Sequence, residues 1–105
     1  MSYPSIHIAG VGITRFGKQL DLSVKDLVRQ AVTMALEDAG CELTQIQAAY
    51  FGTAGQGLME GQTMVAGQIA LRAMGISGIP VTNVENACAT SSTALHAARL
   101  FVASG

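Results

Sequence analysis

The stretch from Pro80 to Gly105, PVTNVENACATSSTALHAARLFVASG, limits the possible folds of this chain more than any other. The β-branched run Val81-Thr82-Asn83-Val84 reads as a buried strand. After Glu85-Asn86-Ala87 comes an Ala- and Leu-rich segment too long to be anything but a helix. Ala94, Leu95, Ala97, Ala98, Leu100, Phe101, Val102 and Ala103 lie all round its circumference, and a helix apolar on every side is normally enclosed by protein, so residues 88 to 104 read as a central buried helix. Cys88 then falls at the turn from strand to helix. A thiol in such a place faces unpaired backbone N–H groups and the positive end of the macrodipole, both of which favour thiolate. The same place also suits a small buried core thiol, so position alone leaves two readings standing.

The rest of the chain alternates. Ser5-Ile6-His7-Ile8-Ala9 reads as a first strand that stops at Gly10 and Gly12, with His7 on its opposite face. Gly10-Val11-Gly12 is not a dinucleotide fingerprint: Arg15 stands where the third glycine belongs, and the next helical pattern waits until Ser23. Ser23 with Asp26 makes a capping-box-like start. Val24, Leu27, Val28, Ala31, Val32, Ala35, Leu36 and Ala39 then recur at helical spacing until Gly40 ends the pattern. Lys25, Arg29, Gln30, Thr33, Glu37 and Asp38 form its opposite face, which predicts a helix on the outside of a sheet with one side wet. Cys41, just past the glycine at the helix C-terminus, gets no help from the dipole and reads as structural or incidental.

Ile46 to Thr53 reads as a second strand. The glycine-rich passage through Gly52, Gly55, Gly57 and Gly61 reads as a loop able to approach a ligand or another subunit, or simply as turns. It is no P-loop, because no Gly-Lys-Ser/Thr follows. Met64, Val65, Ile69, Leu71 and Met74 make a further helix closed by Gly75. The order strand, helix, strand, helix, strand, helix implies an α/β fold with a mostly parallel sheet. In such a fold ligands bind at the C-terminal edges of the strands, where Gly10, Gly52 and Asn86 fall and Cys88 is presented.

A nucleophilic cysteine needs a base or acid within about 3 Å of its sulfur. His96 lies eight residues further on, about 12 Å along a helix and about 80° round it, which excludes it. With Ser92 and Arg99 it makes a narrow polar stripe suited to bonding neighbouring protein. His7, at the other end of the chain, has no local route to the thiol.

Val84-Glu85-Asn86-Ala87-Cys88-Ala89-Thr90-Ser91-Ser92-Thr93-Ala94-Leu95 resembles the segment that carries the acyl-accepting cysteine of the thiolase superfamily, most closely its sterol-carrier-protein type. Ile8 to Lys18 resembles the opening of the same enzymes, and Gly61-Gln62 with Gln68-Ile69-Ala70-Leu71 the segment between. The matches run in the family's order along nearly the whole chain. The resemblance implies a β-α-β-α-β-α portion of a thiolase-like fold, with Cys88 as the catalytic residue and its own backbone N–H as one oxyanion donor. It implies ping-pong acyl transfer from acyl-CoA to Cys88 and on to CoA or a carbanion, with the CoA thioester as substrate and no cofactor. The histidines and second cysteine that complete such a site come from a later part of the family's chain. Ser91 departs from the glycine that many relatives carry, which bears on chain-length preference. A ketoacyl-synthase-like condensing enzyme and a non-catalytic lipid-binding or interaction relative are the alternatives.

Composition bears on partners. Charged residues make up 12% and hydrophobic ones 50%, against a charged share of about 25% in ordinary domains. Polar surface is therefore scarce, and other protein is expected to cover much of the exterior. By resemblance the cover includes a homodimer partner meeting the strand Val81 to Glu85, and the loop Gly52 to Gln62 is the other candidate surface. We expect residues 1 to 105 to be the N-terminal part of a thiolase-like domain, since a helix stop with no closing strand is an odd end for a domain. A net charge of −1 gives no footprint for nucleic acid. Two cysteines make no disulfide framework and no metal-ligand spacing. With no signal-peptide pattern and no membrane-length apolar run, a soluble cytoplasmic protein is expected.

Overall fold

The chain is described over residues 4–105 by a computed structural model. It comprises two compact units: Ala48–Gly67 and Pro80–Gly105 with residues 4–7 form one, and Ile8–Gln47 with Gln68–Ile79 the other.

The second of these units is built on α1 (Val24–Ala39). Its start is a complete capping box. The Ser23 N–H and hydroxyl both donate to Asp26 Oδ2 at 2.9 Å, and the Asp26 N–H donates back to the Ser23 hydroxyl at 3.3 Å. Its end is a left-handed Gly40 (φ 68°), with the N–H of Cys41 donating to the Leu36 carbonyl and that of Gly40 to the Glu37 carbonyl. All the charged and polar residues assigned to the wet face are exposed, and the eight apolar positions of the other face are half-buried. Gly10 and Gly12 lie against that helix: a Cβ on either would run into the backbone of α1, at the Ala35 carbonyl and Ala39 for the first and the Ala31 carbonyl for the second. The Val11 N–H donates to Asp38 Oδ2 at 2.9 Å, fixing the segment there. The glycines thus serve close backbone packing. The core of this unit is Ala70, Leu71 and Ile76.

In the other unit, β1 (Ala49–Gly52) pairs in parallel with β2 (Val81–Val84), Ala49 opposite Val81 and Gly52 opposite Val84. Between them in sequence come α2 (Gln56–Glu60) and α3 (Ala66–Ala73), of which Ala66 and Gly67 belong to this unit. After β2, a 3-10 turn (Ala87–Ala89) leads into α4 (Thr90–Ala103). Alternation along β1 divides its neighbours. On one face Tyr50 meets Phe101 of α4 edge-to-face at 6.1 Å, and a Cβ on Gly52 would collide with the Thr90 methyl. On the other, Phe51 and Asn83 close over Gly67, whose N–H donates to Asn83 Oδ1 at 2.7 Å.

Three expectations need correction. Residues 5–9 form no strand, because apolar alternation favours an extended chain but a ladder also needs a partner strand, and the sheet described here has two strands. The glycine-rich passage is not all loop, since Gln56–Glu60 closes one helical turn that a left-handed Gly61 ends. Residues 90–103 are helical, yet within the described residues α4 is not enclosed: Thr90 is its one buried residue, and Leu95 is 62% exposed. Among the described residues its apolar circumference is covered where β1 and β2 pack.

Candidate active site

Cys88 stands at the middle of the 3-10 turn between β2 and α4, exposed, so the expected strand-to-helix position holds although the α-helix proper begins two residues later. The turn is made by an unusual backbone. Ala87, immediately before the cysteine, has φ 48°, a left-handed conformation that costs a residue with a Cβ about 1–2 kcal/mol. Hydrogen bonds surround it. The Ala87 N–H donates to Glu85 Oε2 at 2.6 Å, and the Ala87 carbonyl accepts from the Thr90 hydroxyl at 2.7 Å. The Asn86 N–H donates to the same hydroxyl oxygen at 2.8 Å, and the Ala89 N–H donates to the Asn86 carbonyl at 2.9 Å. Asn86 Nδ2 donates to the Thr93 hydroxyl at 3.1 Å, which itself donates to the Ala89 carbonyl at 2.9 Å. Side chains of Glu85, Thr90 and Thr93, with one backbone bond from the Ala89 N–H, thereby hold the peptides on both sides of the cysteine.

A cleft of about 280 Å³ opens at the C-terminal ends of the two strands, as the parallel arrangement predicts. Phe51, Leu58 and Val65 give it apolar walls, and Thr53, Asn83 and Glu85 a polar rim. Val65, like Ala87, is left-handed (φ 48°) without being glycine, so both strained positions belong to this end of the sheet. Glu85 joins the two features, lining the cleft and holding the Ala87 N–H.

The other candidates are elsewhere. Cys41 is half-covered at the end of α1, its thiol 3.8 Å from the Ala39 carbonyl. His96 is exposed on α4, and His7 is exposed in the extended segment before Ile8. Among the described residues, no three His, Cys, Asp or Glu side chains gather as a metal site, and no helix is long and apolar enough to cross a membrane. Reading the sequence alone missed Thr90 and Thr93. Their one signal was a run of hydroxyl residues directly after the cysteine, where a helix start offers backbone groups to bond.

Cys88 is thus exposed beside a strained residue at the C-terminal edge of two parallel strands in an α/β chain. Comparison with known families places the chain. The family described as "Thiolase, N-terminal domain" matches residues 6–105, and the chain belongs to it. It is 39% identical over 100 residues to an acetyl-CoA acetyltransferase of Methanothermobacter thermautotrophicus, covering 95% of this chain and 26% of that protein. It is 38% identical over 103 residues to benzoylsuccinyl-CoA thiolase subunit BbsB of Thauera aromatica (95% of this chain, 25% of that one). It is 35% identical over 102 residues to sterol carrier protein 2 of Gallus gallus (95% and 18%). The chain thus spans about a quarter of the length of the first of these relatives.

Proposed function

We propose that this domain supplies the nucleophile of a thiolase-type acyl-CoA acyltransferase, and that the nucleophile is Cys88. One observation carries the reading: the exposed thiol occupies a turn in which the peptides on both sides of it are held by side-chain or backbone hydrogen bonds. Membership of the thiolase family and relatives named as acetyl-CoA acetyltransferase and thiolase support it. A cysteine that only filled a core would be buried and its backbone would need no strain.

In the first half-reaction the Cys88 thiolate adds to the thioester carbonyl of an acyl-CoA. The carbonyl π electrons move to oxygen, and their return breaks the bond to the CoA sulfur, leaving acyl-Cys88 and CoA thiolate, which takes up a proton. The Cys88 N–H, at the turn before α4, is the oxyanion donor this domain offers. In the second, a CoA thiolate or a carbanion attacks the acyl carbon, a new C–S or C–C bond forms, and Cys88 leaves as thiolate. His96 lies about two turns beyond Cys88, along α4, and by resemblance the groups that move these protons come from a later part of the family's chain. The catalytic protein is a homodimer in which β2 or the segment Gly52 to Gln62 faces the partner.

The test is intact-mass analysis of the full-length protein after incubation with acetyl-CoA and longer acyl-CoAs. A gain of one acyl mass, lost in Cys88→Ala, is the expected result, while labelling that survives in Cys88→Ala assigns the nucleophile elsewhere. Relatives named sterol carrier protein 2 favour a second reading, a lipid-binding role. That reading expects reversible lipid binding and no covalent acyl adduct.

A further inference from the structure

We infer that Thr90 is the positioning residue for Cys88, acting through the left-handed Ala87; this rests on the reading of Cys88 as nucleophile. Thr90 is a polar side chain only 6% exposed, and its hydroxyl is used twice within one turn. It accepts from the Asn86 N–H at 2.8 Å and donates to the Ala87 carbonyl at 2.7 Å, so one oxygen clamps the peptides on both sides of the Asn86–Ala87 bond. Those peptides set the conformation of Ala87 (φ 48°), and Ala87 sets the direction in which the chain delivers Cys88. An alanine does not stay left-handed unless its surroundings hold it there.

The second half of the side chain anchors the clamp. The Thr90 methyl lies within clashing distance of where a Cβ on Gly52 would stand, at the end of β1, so the methyl packs against the sheet while the hydroxyl holds the turn before Cys88. Gly52 is the only residue type that leaves room for this. Position relative to the sheet is thereby passed to the thiol through a single buried side chain. Thr90 touches no reacting atom in this scheme, and its effect is on where Cys88 sits.

Three variants of the full-length protein test this. Thr90→Val keeps the shape and the methyl contact but removes both hydrogen bonds, Thr90→Ser keeps the hydroxyl, and Ala87→Gly in the Thr90→Val background frees the turn to be left-handed unaided. Two measurements apply: hydrogen exchange of the Asn86 amide by NMR, and the rate of Cys88 acylation by acetyl-CoA followed by intact mass. In Thr90→Val we expect the Asn86 amide to exchange about tenfold faster and acylation to slow about tenfold, the magnitude of one or two lost hydrogen bonds. The acetyl-CoA concentration giving half the maximal rate should shift less than about twofold, since positioning acts on the chemical step. Thr90→Ser should return both within about threefold of wild type, and Ala87→Gly should restore acylation but not Asn86 protection.

Wild-type acylation in Thr90→Val, or a Thr90→Ser as slow as Thr90→Val, overturns the inference. Should Thr90→Val fail to fold, Ala87→Val provides the same reading with Thr90 intact, because its branched side chain opposes φ 48°. It too should acylate about tenfold slower, and a wild-type rate there overturns the inference equally. Failure of the underlying reading is separable: it shows as acyl labelling retained in Cys88→Ala, while the Asn86 exchange still reports the clamp.

Discussion

At the scale of single residues, the two cysteines differ in what surrounds them. Cys88 is exposed on a turn, whereas Cys41 is half-covered with its sulfur near the Ala39 carbonyl. Alkylation by iodoacetamide should therefore modify Cys88 first, by about tenfold or more in rate, and peptide mapping after partial labelling would read the order directly. Equal labelling of both would remove the distinction. Cys88→Ala should abolish acyl transfer and leave the melting temperature within a few degrees, because an exposed thiol leaves no cavity behind when it is removed. Glycines supply the opposite kind of residue-level sensitivity. At Gly10 and Gly12 a side chain would meet the α1 backbone, so Gly12→Val should destabilise by at least about 1–3 kcal/mol, the usual range for overpacking. Urea denaturation checks it.

At the scale of elements, α1 holds itself together and α4 does not. The capping box and the left-handed Gly40 satisfy end groups of α1 from within its own sequence. Ser23→Ala should cost about 1 kcal/mol. The Asp26 carboxyl is held below its ordinary range first by the Ser23 N–H hydrogen bond, then by the Ser23 hydroxyl, with the Arg29 guanidinium 3.0 Å away also favouring the charged form. Its folded value lies below its unfolded one, so its contribution is present above about pH 4 and is lost as pH falls through the folded value. Acid titration of stability should accordingly show a low-pH loss that Asp26→Asn diminishes. In α4, by contrast, the N-cap is Ala89, which has no side chain to cap with, and the apolar residues Leu95, Leu100, Phe101 and Val102 are exposed. This helix takes its stability from packing on β1 and from whatever else covers it.

At the scale of the whole molecule, exposed apolar side chains recur in three places: Ile8 to Leu20, Leu58 to Val65, and the outer surface of α4. A two-stranded sheet is marginal by itself, and sheets gain independent stability with three or more strands or a covering layer. Residues 1 to 105 produced alone should aggregate or stay partly unfolded. The full-length protein should elute as a dimer in size-exclusion chromatography with light scattering, with an interface that includes Val81 to Glu85 or Gly52 to Gln62. A cooperatively folding monomer from residues 1 to 105 would contradict this and favour the small binding-module reading.

What the sequence determined alone is what local interactions control. The capping box at Ser23, the stop at Gly40, the strand at Val81–Val84, the helix after it and the place of Cys88 between them all depend on residues within about four positions of one another, and each is read from such spacing. Tertiary structure decided everything that depends on who lies opposite. Ser5 to Ala9 had the pattern of a strand and pairs with no strand among the described residues, and Gly10 and Gly12 looked like punctuation until α1 was laid against them. Thr90 was one hydroxyl among several until the end of β1 brought Gly52 beneath its methyl and the turn brought the Ala87 carbonyl to its oxygen. A chain specifies its local geometry through short-range sterics and hydrogen bonds, but a clamp between residues 38 positions apart exists only once strand pairing and helix packing have closed that loop.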